Sequence, residues 1–266
     1  MKYSRAQIVA TLGPTSNTAS ILRDMIHAQL DAVRLNFAWG TLAEHTAQIA
    51  IVRELEQEVG KKIPIIVDLP GPRIQDMEGH TYDHEVTVLT EDDKRFIAFA
   101  VAQDVEYVAM SFIGCAADVL AGRSAIAACG GTQKIIAKIE RKVAVDHLQE
   151  IIEVADAVMV ARGDLGNEIP LEQVPFVQDT IVRTTKEAGK PVIVATQMML
   201  SMTDHDTPTR AEVTDVAYAI LQGADAVMLS EESAKGAYPV LAVAMMEKII
   251  GEAEKHMGAT LHINQL

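Results

Sequence analysis

Two cysteines, Cys115 and Cys129, are all the thiols in 266 residues, and they lie too far apart to form a CxxC pair. A disulfide framework is therefore excluded, and both read as reduced thiols of a cytoplasmic protein. Basic residues are outnumbered, 23 Lys and Arg against 37 Asp and Glu, for a formal charge of −14. Phosphate backbones require clustered Lys and Arg, so nucleic acid is not an expected partner, and the acidic surface reads as a solubility feature. No apolar run approaches the ~18 residues of a membrane span, which argues against a membrane partner. The polar stretch Met1–Gln7 runs straight into a strand pattern rather than into a signal peptide. No GxGxxG follows any apolar run, so the dinucleotide fingerprint is missing as well.

What is present is an alternation of short apolar runs and longer amphipathic stretches. The runs are Gln7–Gly13, Ala32–Ala38, Ile63–Leu69, Tyr107–Phe112, Lys134–Glu140, Ala157–Ala161, Pro191–Gln197 and Ala226–Ser230. Their near-continuous apolarity suits strands buried on both faces. Helical periodicity runs through Thr41–Val59, Asp92–Ala102, Lys142–Ala155, Leu171–Glu187 and Thr209–Gln222. Thr90, ahead of Glu91, Asp92 and Asp93, marks a helix start, while Gly60, Gly189 and Gly223 mark ends. At a length near the ~250 residues of one barrel, this α/β alternation predicts a single (β/α)8 TIM barrel over 1–266. A doubly wound open sheet is the alternative. The polar tract Asp76–Thr87 reads as an ordered loop or a small hairpin, and no linker or second domain is visible.

In barrels of this kind the chemistry sits at the carboxyl ends of the strands, so the polar residues that end the apolar runs are the candidates. They are Arg34, Asn36 and Trp39; Asp68; Lys138 and Glu140; Ala161-Arg162-Gly163-Asp164; and Thr196-Gln197. Lys138 and Glu140 are two apart and share a strand face, here the inner one. Glu140 and Asp164, from successive runs, can meet at one ion. Two carboxylates completed by substrate oxygens and water suit Mg2+ or Mn2+. The turn Ala161–Asp164 can offer backbone N–H groups to an anionic carboxylate. Each residue also has an ordinary structural explanation: a buried ion pair for Lys138 and Glu140, a helix cap for Asp164, a turn cap for Asp68, a plain strand position for Thr196. Trp39 reads as a core filler, an apolar plug or a stacking surface. His80 and His84 read as solvated loop residues or as an acid or base at the rim.

These residues stand in segments that resemble the barrel domain of the pyruvate kinase family. The segments are Ile8–Pro14, Arg34–Phe37, Asp68–Arg73, Ile136–Lys142, Met159–Gly166, Gly189–Met198, Pro208–Ala217 and Gly223–Ser230, covering nearly the whole chain in family order. The resemblance implies that Glu140 and Asp164 hold the divalent metal. It places Lys138 against the enolate oxygen or the transferring phosphoryl group, and Arg34 against phosphate. Ala161, Arg162, Gly163, Asp164 and Thr196 match the pocket for the substrate carboxylate, Thr196 also counting among the catalytic residues with Lys138 and Arg34. Asn36 and Asp68 match two ligands of a monovalent cation, K+. The implied partner is a small-molecule 2-oxo acid, and the segment Pro208–Ala217 lies near a family subunit contact, which implies a homo-oligomer.

The departures from the family pattern shape the functional expectation. The family inserts a lid domain of ~100 residues after the third strand, whereas here a short connection at 76–90 bridges the gap, and nothing resembles the C-terminal regulatory domain. Ala38 stands where the family has a serine ligand of K+, Trp39 where it has a histidine near the nucleotide, Gln75 where an arginine faces the phosphoryl group, and Glu231 where it has a glycine. Phosphoryl transfer depends on positioning, charge and exclusion of water, so these losses count against it. The first expectation is accordingly a metal-dependent carbon–carbon lyase, a decarboxylase or aldolase, that stabilises the enolate of a pyruvate- or oxaloacetate-type 2-oxo acid. The second is pyruvate kinase chemistry, phosphoenolpyruvate and ADP giving pyruvate and ATP. The third is a barrel that binds a metabolite without catalysis.

Overall fold

The computed structural model describes residues 4–76, 79–82 and 88–257, with 74–76 and 79–82 described by backbone alone. Its strands are β1 (Gln7–Thr11), β2 (Ala32–Asn36), β3 (Ile65–Asp68), β4 (Arg73–Asp76), β5 (Gly79–Tyr82), β6 (Tyr107–Met110), β7 (Lys134–Ile139), β8 (Ala157–Ala161), β9 (Val192–Ala195) and β10 (Ala226–Leu229). Eight of them close a parallel barrel in the order β1-β10-β9-β8-β7-β6-β3-β2, which is the (β/α)8 architecture. The open-sheet alternative fails because β1 pairs with both β2 and β10, leaving no edge. The remaining two strands form an antiparallel hairpin, Arg73 opposite Tyr82 and Asp76 opposite Gly79.

Two apolar layers hold the barrel. Outward-facing residues such as Ile8, Val33, Ile65, Val108 and Ile135 pack under the helices in one large cluster. Inward-facing residues, among them Val9, Ala32, Ile66, Ala109, Ile136, Met159, Ala195 and Met228, fill the bore in a second. The inner face continues by alternation toward the carboxyl ends, and there it changes character. Val9 is followed by Thr11, Ala32 by Arg34 and Asn36, Ile66 by Asp68, Ala109 by Ser111, and Ile136 by Lys138 and Glu140. The apolar plug thus ends in a polar floor.

Helix ends follow local chemistry. Thr41 with Glu44, Thr90 with Asp93 and Thr209 with Glu212 form reciprocal capping boxes. Two stretches differ from the sequence expectation. Lys142–Ala155 is two helices, Lys142–Asp146 and Leu148–Val154, meeting at His147. Strand β9 stops at Ala195 because Thr196 and Gln197 take left-handed backbone angles, φ +68° and +52°. Among the described residues, no helix is long and apolar enough to cross a membrane.

Candidate active site

The polar floor opens into a cleft of about 1160 Å³, lined among others by Arg34, Asn36, Asp68, Arg73, Lys138, Glu140, Asp164 and Thr196. Lys138 lies at its base, 4% exposed. Its ammonium donates to Asp68 Oδ1 at 3.0 Å and to Ser111 Oγ at 2.6 Å, and sits 2.9 Å from Glu140 Oε1. Asp68 uses its other oxygen to accept from Arg34 Nε at 2.6 Å, and Arg34 Nη1 reaches Thr11 Oγ1 at 3.1 Å. Ser111 is fixed in turn by donating to the Leu69 carbonyl at 2.6 Å.

Burial works against every charge in this network, and the partners decide the outcome. The Lys138 ammonium is held above the ordinary lysine range because Asp68 and Glu140 outweigh its desolvation. Asp68, between Arg34 and Lys138, lies below the usual carboxylate range despite full burial. Glu140 goes the other way: burial, with the like charge of Asp164 added, lifts its carboxyl above the usual range. Lys138 and the Phe112 N–H, which donates to Glu140 Oε2 at 2.6 Å, only partly offset this.

Asp164 lies in the first turn of the short helix Arg162–Glu168, with its side chain 20% exposed. Its Oδ2 accepts from Arg73 Nη2 at 3.0 Å. Thr196 Oγ1 accepts from the Gly163 N–H at 2.9 Å, joining the ends of β8 and β9. Phe112, Thr196 and Gln197 all have left-handed φ at strand ends around the cleft, the sort of strain that collects at functional sites.

The structure brings together Arg34, Asp68, Lys138, Glu140, Asp164 and Thr196, and Ala161 and Gly163 line the same cleft. Arg162 is not with them. Its guanidinium turns into the helical layer, to Asp215 Oδ1 at 2.6 Å, Gln178 Oε1 at 3.3 Å and the Thr196 carbonyl at 2.6 Å. The reason is that the strand ends at Ala161, so strand alternation no longer sets the direction of the next side chain. Asn36 spends its Oδ1 on the Ala38 N–H at 3.1 Å. Trp39 is 55% exposed at the cleft mouth and is no core filler. The backbone of His80 lies in β5, and His84 falls outside the described residues.

Further contributors escaped the sequence reading. Thr11, Arg73 and Ser111 supply side chains, Phe112 supplies a backbone N–H, and Glu232, fully buried, braces two loops. Its carboxylate accepts from the Met199 N–H at 3.0 Å and the Ser230 N–H at 2.8 Å. For Ser111 the period-two step from Ala109 carried a usable signal.

The donor set fits a hard divalent cation. Among the described residues Glu140 Oε1, buried, has no donor in hydrogen-bonding geometry, although Lys138 Nζ lies at ion-pair distance. Among the described residues there is no group of three or more metal-ligating side chains, so substrate and water would have to complete the shell. Mg2+ is commonly bound through one or two carboxylates in that way.

A family model described as pyruvate kinase, barrel domain, matches residues 3–88 and 78–243. A pyruvate kinase of Agrobacterium vitis is 36% identical over 334 positions, covering 95% of this chain and 70% of the relative. Pyruvate kinases of Thermococcus litoralis, 33% identical with 95% and 70% covered, and of Mycobacterium intracellulare, 34% identical with 96% and 71% covered, are similar in the same way. These relatives overturn the expectation of a carbon–carbon lyase, since they are named for phosphotransfer and nothing among them points to a lyase. That expectation weighed the departures Ala38, Gln75 and the short connection as lost phosphoryl machinery, while Lys138, Arg34 and Arg73 keep the cleft cationic beside its carboxylates.

Proposed function

The chain belongs to the pyruvate kinase family, and on that premise we propose that its cleft transfers the phosphoryl group of phosphoenolpyruvate to ADP, giving pyruvate and ATP. The observation that carries the reading is the Lys138 ammonium. It is buried, charged, and aimed along the inner face at the floor of an open cleft beside Glu140. In the reaction the bond from phosphorus to the enol oxygen breaks, a bond to the ADP terminal oxygen forms, and C3 of the enolpyruvate takes up a proton. Charge gathers on the transferring oxygens, and a preorganised ammonium placed there stabilises it without reorganising at the moment of transfer.

Each neighbour has a task in this reading. Asp68 and Ser111 hold the Lys138 ammonium in place, and Asp68 together with Thr11 orients Arg34 toward substrate phosphate. The Thr196 hydroxyl and the Ala161–Asp164 turn receive the substrate carboxylate, the Thr196 O–H donating to it while Oγ1 still accepts from the Gly163 N–H. Mg2+ or Mn2+, held by Glu140 and Asp164, would supply Lewis-acid charge to the substrate oxygens when bound. K+ fits less well. Both Asp68 oxygens already accept from cations, Asn36 Oδ1 is engaged, and Ala38 brings no side-chain oxygen, so no step is assigned to K+. The hairpin of β4 and β5 stands, in this reading, where the family carries its lid. The free thiols of Cys115 and Cys129 agree with a cytoplasmic setting.

The test is ATP formation from phosphoenolpyruvate, ADP and Mg2+, followed by phosphorus NMR. Wild type is expected to make ATP, and Lys138→Met to lose about 100-fold or more in kcat/KM. Because Lys138→Met leaves Asp68 with Arg34 as its one cation and takes the ammonium away from buried Glu140, Thr196→Val serves as a milder companion, expected to raise KM for phosphoenolpyruvate about tenfold with the fold intact. No ATP from folded wild type, or full activity in Lys138→Met, would overturn the proposal. Ligand-induced stabilisation without turnover would favour a binding barrel.

A further inference from the structure

Arg73 opens β4, two residues before Gln75. Its side chain crosses the cleft wall. Nη2 donates to Asp164 Oδ2 at 3.0 Å, and the guanidinium carbon lies 5.4 Å from the centre of the Phe112 ring. Phe112 is the residue whose N–H holds Glu140. The Arg73 and Asp164 side chains are 15% and 20% exposed, so solvent screens their attraction only in part. Arg73 Nε is buried and has no hydrogen-bond partner among the described residues.

Asp164 is one of the two carboxylates available to a divalent cation, and it already carries a cation supplied by the chain. A metal arriving at Asp164 meets a like charge within a few ångströms, and the two compete for one carboxylate. Once released, the arginine is suited to a second task. Its planar fork of N–H groups matches phosphate oxygens, and Nε has a donor to spare. We propose that Arg73 is the site's resident cation: it holds Asp164 until a divalent metal takes that carboxylate, and then presents its guanidinium to the phosphoryl group of the substrate. Gln75 stands where the family resemblance sets a phosphoryl-facing arginine, and Arg73 supplies that charge from two residues earlier. The metal competition stands on the Arg73–Asp164 geometry, whereas the hand-over to phosphoryl rests on the phosphotransfer reading.

The experiment separates the two. Free Mn2+ is titrated by electron paramagnetic resonance against wild type, R73Q, D164N and the R73Q/D164N double variant, without substrate. R73Q is expected to bind Mn2+ at least threefold more tightly than wild type, and R73K to bind like wild type. In the D164N background the R73Q effect is expected to shrink below twofold, which shows that it runs through Asp164. Equal or weaker Mn2+ binding by folded R73Q overturns the competition. With Mn2+ saturating, R73Q is expected to bind phosphoenolpyruvate at least tenfold more weakly, and unchanged affinity overturns the hand-over. Since the Mn2+ titration needs no turnover, a wild type that makes no ATP removes the phosphotransfer reading and leaves the competition to be decided on its own result.

Discussion

Lys138, Asp68 and Glu140 are 4%, 1% and 1% exposed, so water can neither screen their charges nor replace a lost partner. The same burial made them readable in the sequence: a charged residue at the end of an apolar run is expensive unless something pairs with it. Arg73 gave no such signal, because it borders a polar tract where an arginine is unremarkable. Phe112 acts through its backbone N–H, which side-chain identity does not encode. At the opposite end of the barrel another partly buried carboxylate makes a pH prediction. Glu106 accepts from the Ile65 N–H at 2.8 Å and pairs with Lys62 at 2.7 Å and Arg53 at 3.1 Å. Burial opposes its charge, but these partners hold its carboxyl below the usual glutamate range. A depressed folded-state value means that the ionised group contributes stability above the unfolded value and loses it as pH falls through the folded one. Glu106→Gln is therefore expected to lose about 1 kcal/mol at pH 7, a figure reduced for its 23% exposure, and to converge with wild type in acid. Urea unfolding across the acid range checks this, and an equal loss at all pH values would refute it.

Between residues and fold, the elements divide by the kind of signal they carry. Strand positions were legible because buried parallel strands write continuous β-branched runs, and one helix start because Thr90 precedes Glu91, Asp92 and Asp93; the capping box at Thr209 was in the sequence but went unread. Strand ends were less so: Thr196 fits a strand by propensity, yet tertiary contact with Gly163 holds it at positive φ. Loop closure also escapes any local rule. A Cβ on Gly13 would lie 2.4 Å from the Ala234 carbonyl oxygen and 2.9 Å from its carbon, where the chain leaving β1 meets the end of the short helix Glu231–Ala234 that follows β10. Backbone cannot yield as a flexible side chain would, so Gly13→Ala is expected to destabilise by about 2 kcal/mol or more. Gly60 offers the contrast. It ends the helix Leu42–Val59 at φ +65° with nothing within 4 Å of a Cβ, so Gly60→Ala costs only the left-handed backbone, about 1 kcal/mol. Thermal unfolding of both variants reads the difference. A Gly13→Ala as mild as Gly60→Ala would show that the segments after β1 and β10 can part.

Over the whole molecule, apolar exposure is uneven. Leu171 and Phe176 are 78% and 71% exposed, and Val213, Tyr218 and Leu221 on the helix Arg210–Leu221 are 36%, 41% and 46% exposed. A groove lined by Val174, Pro175, Ala211 and Tyr218 joins the helix Val174–Glu187 to the helix Arg210–Leu221. Scattered apolar side chains are ordinary on a monomer, but several on two adjoining helices favour an interaction face. The homo-oligomer implied by the resemblance at Pro208–Ala217 would use this side of the barrel. The formal charge of −14 opposes association of two copies, so burial of apolar area has to exceed that repulsion and salt is expected to help. Sedimentation velocity at micromolar concentration is therefore expected to show a dimer or larger species, strengthened at high salt. Phe176→Glu, placing a further negative charge on that face, is expected to shift the protein to monomer with its melting temperature within a few degrees of a monomeric reference. A wild type that sediments as monomer at all salt concentrations would remove the oligomer, and a Phe176→Glu variant that still associates would move the contact to another face.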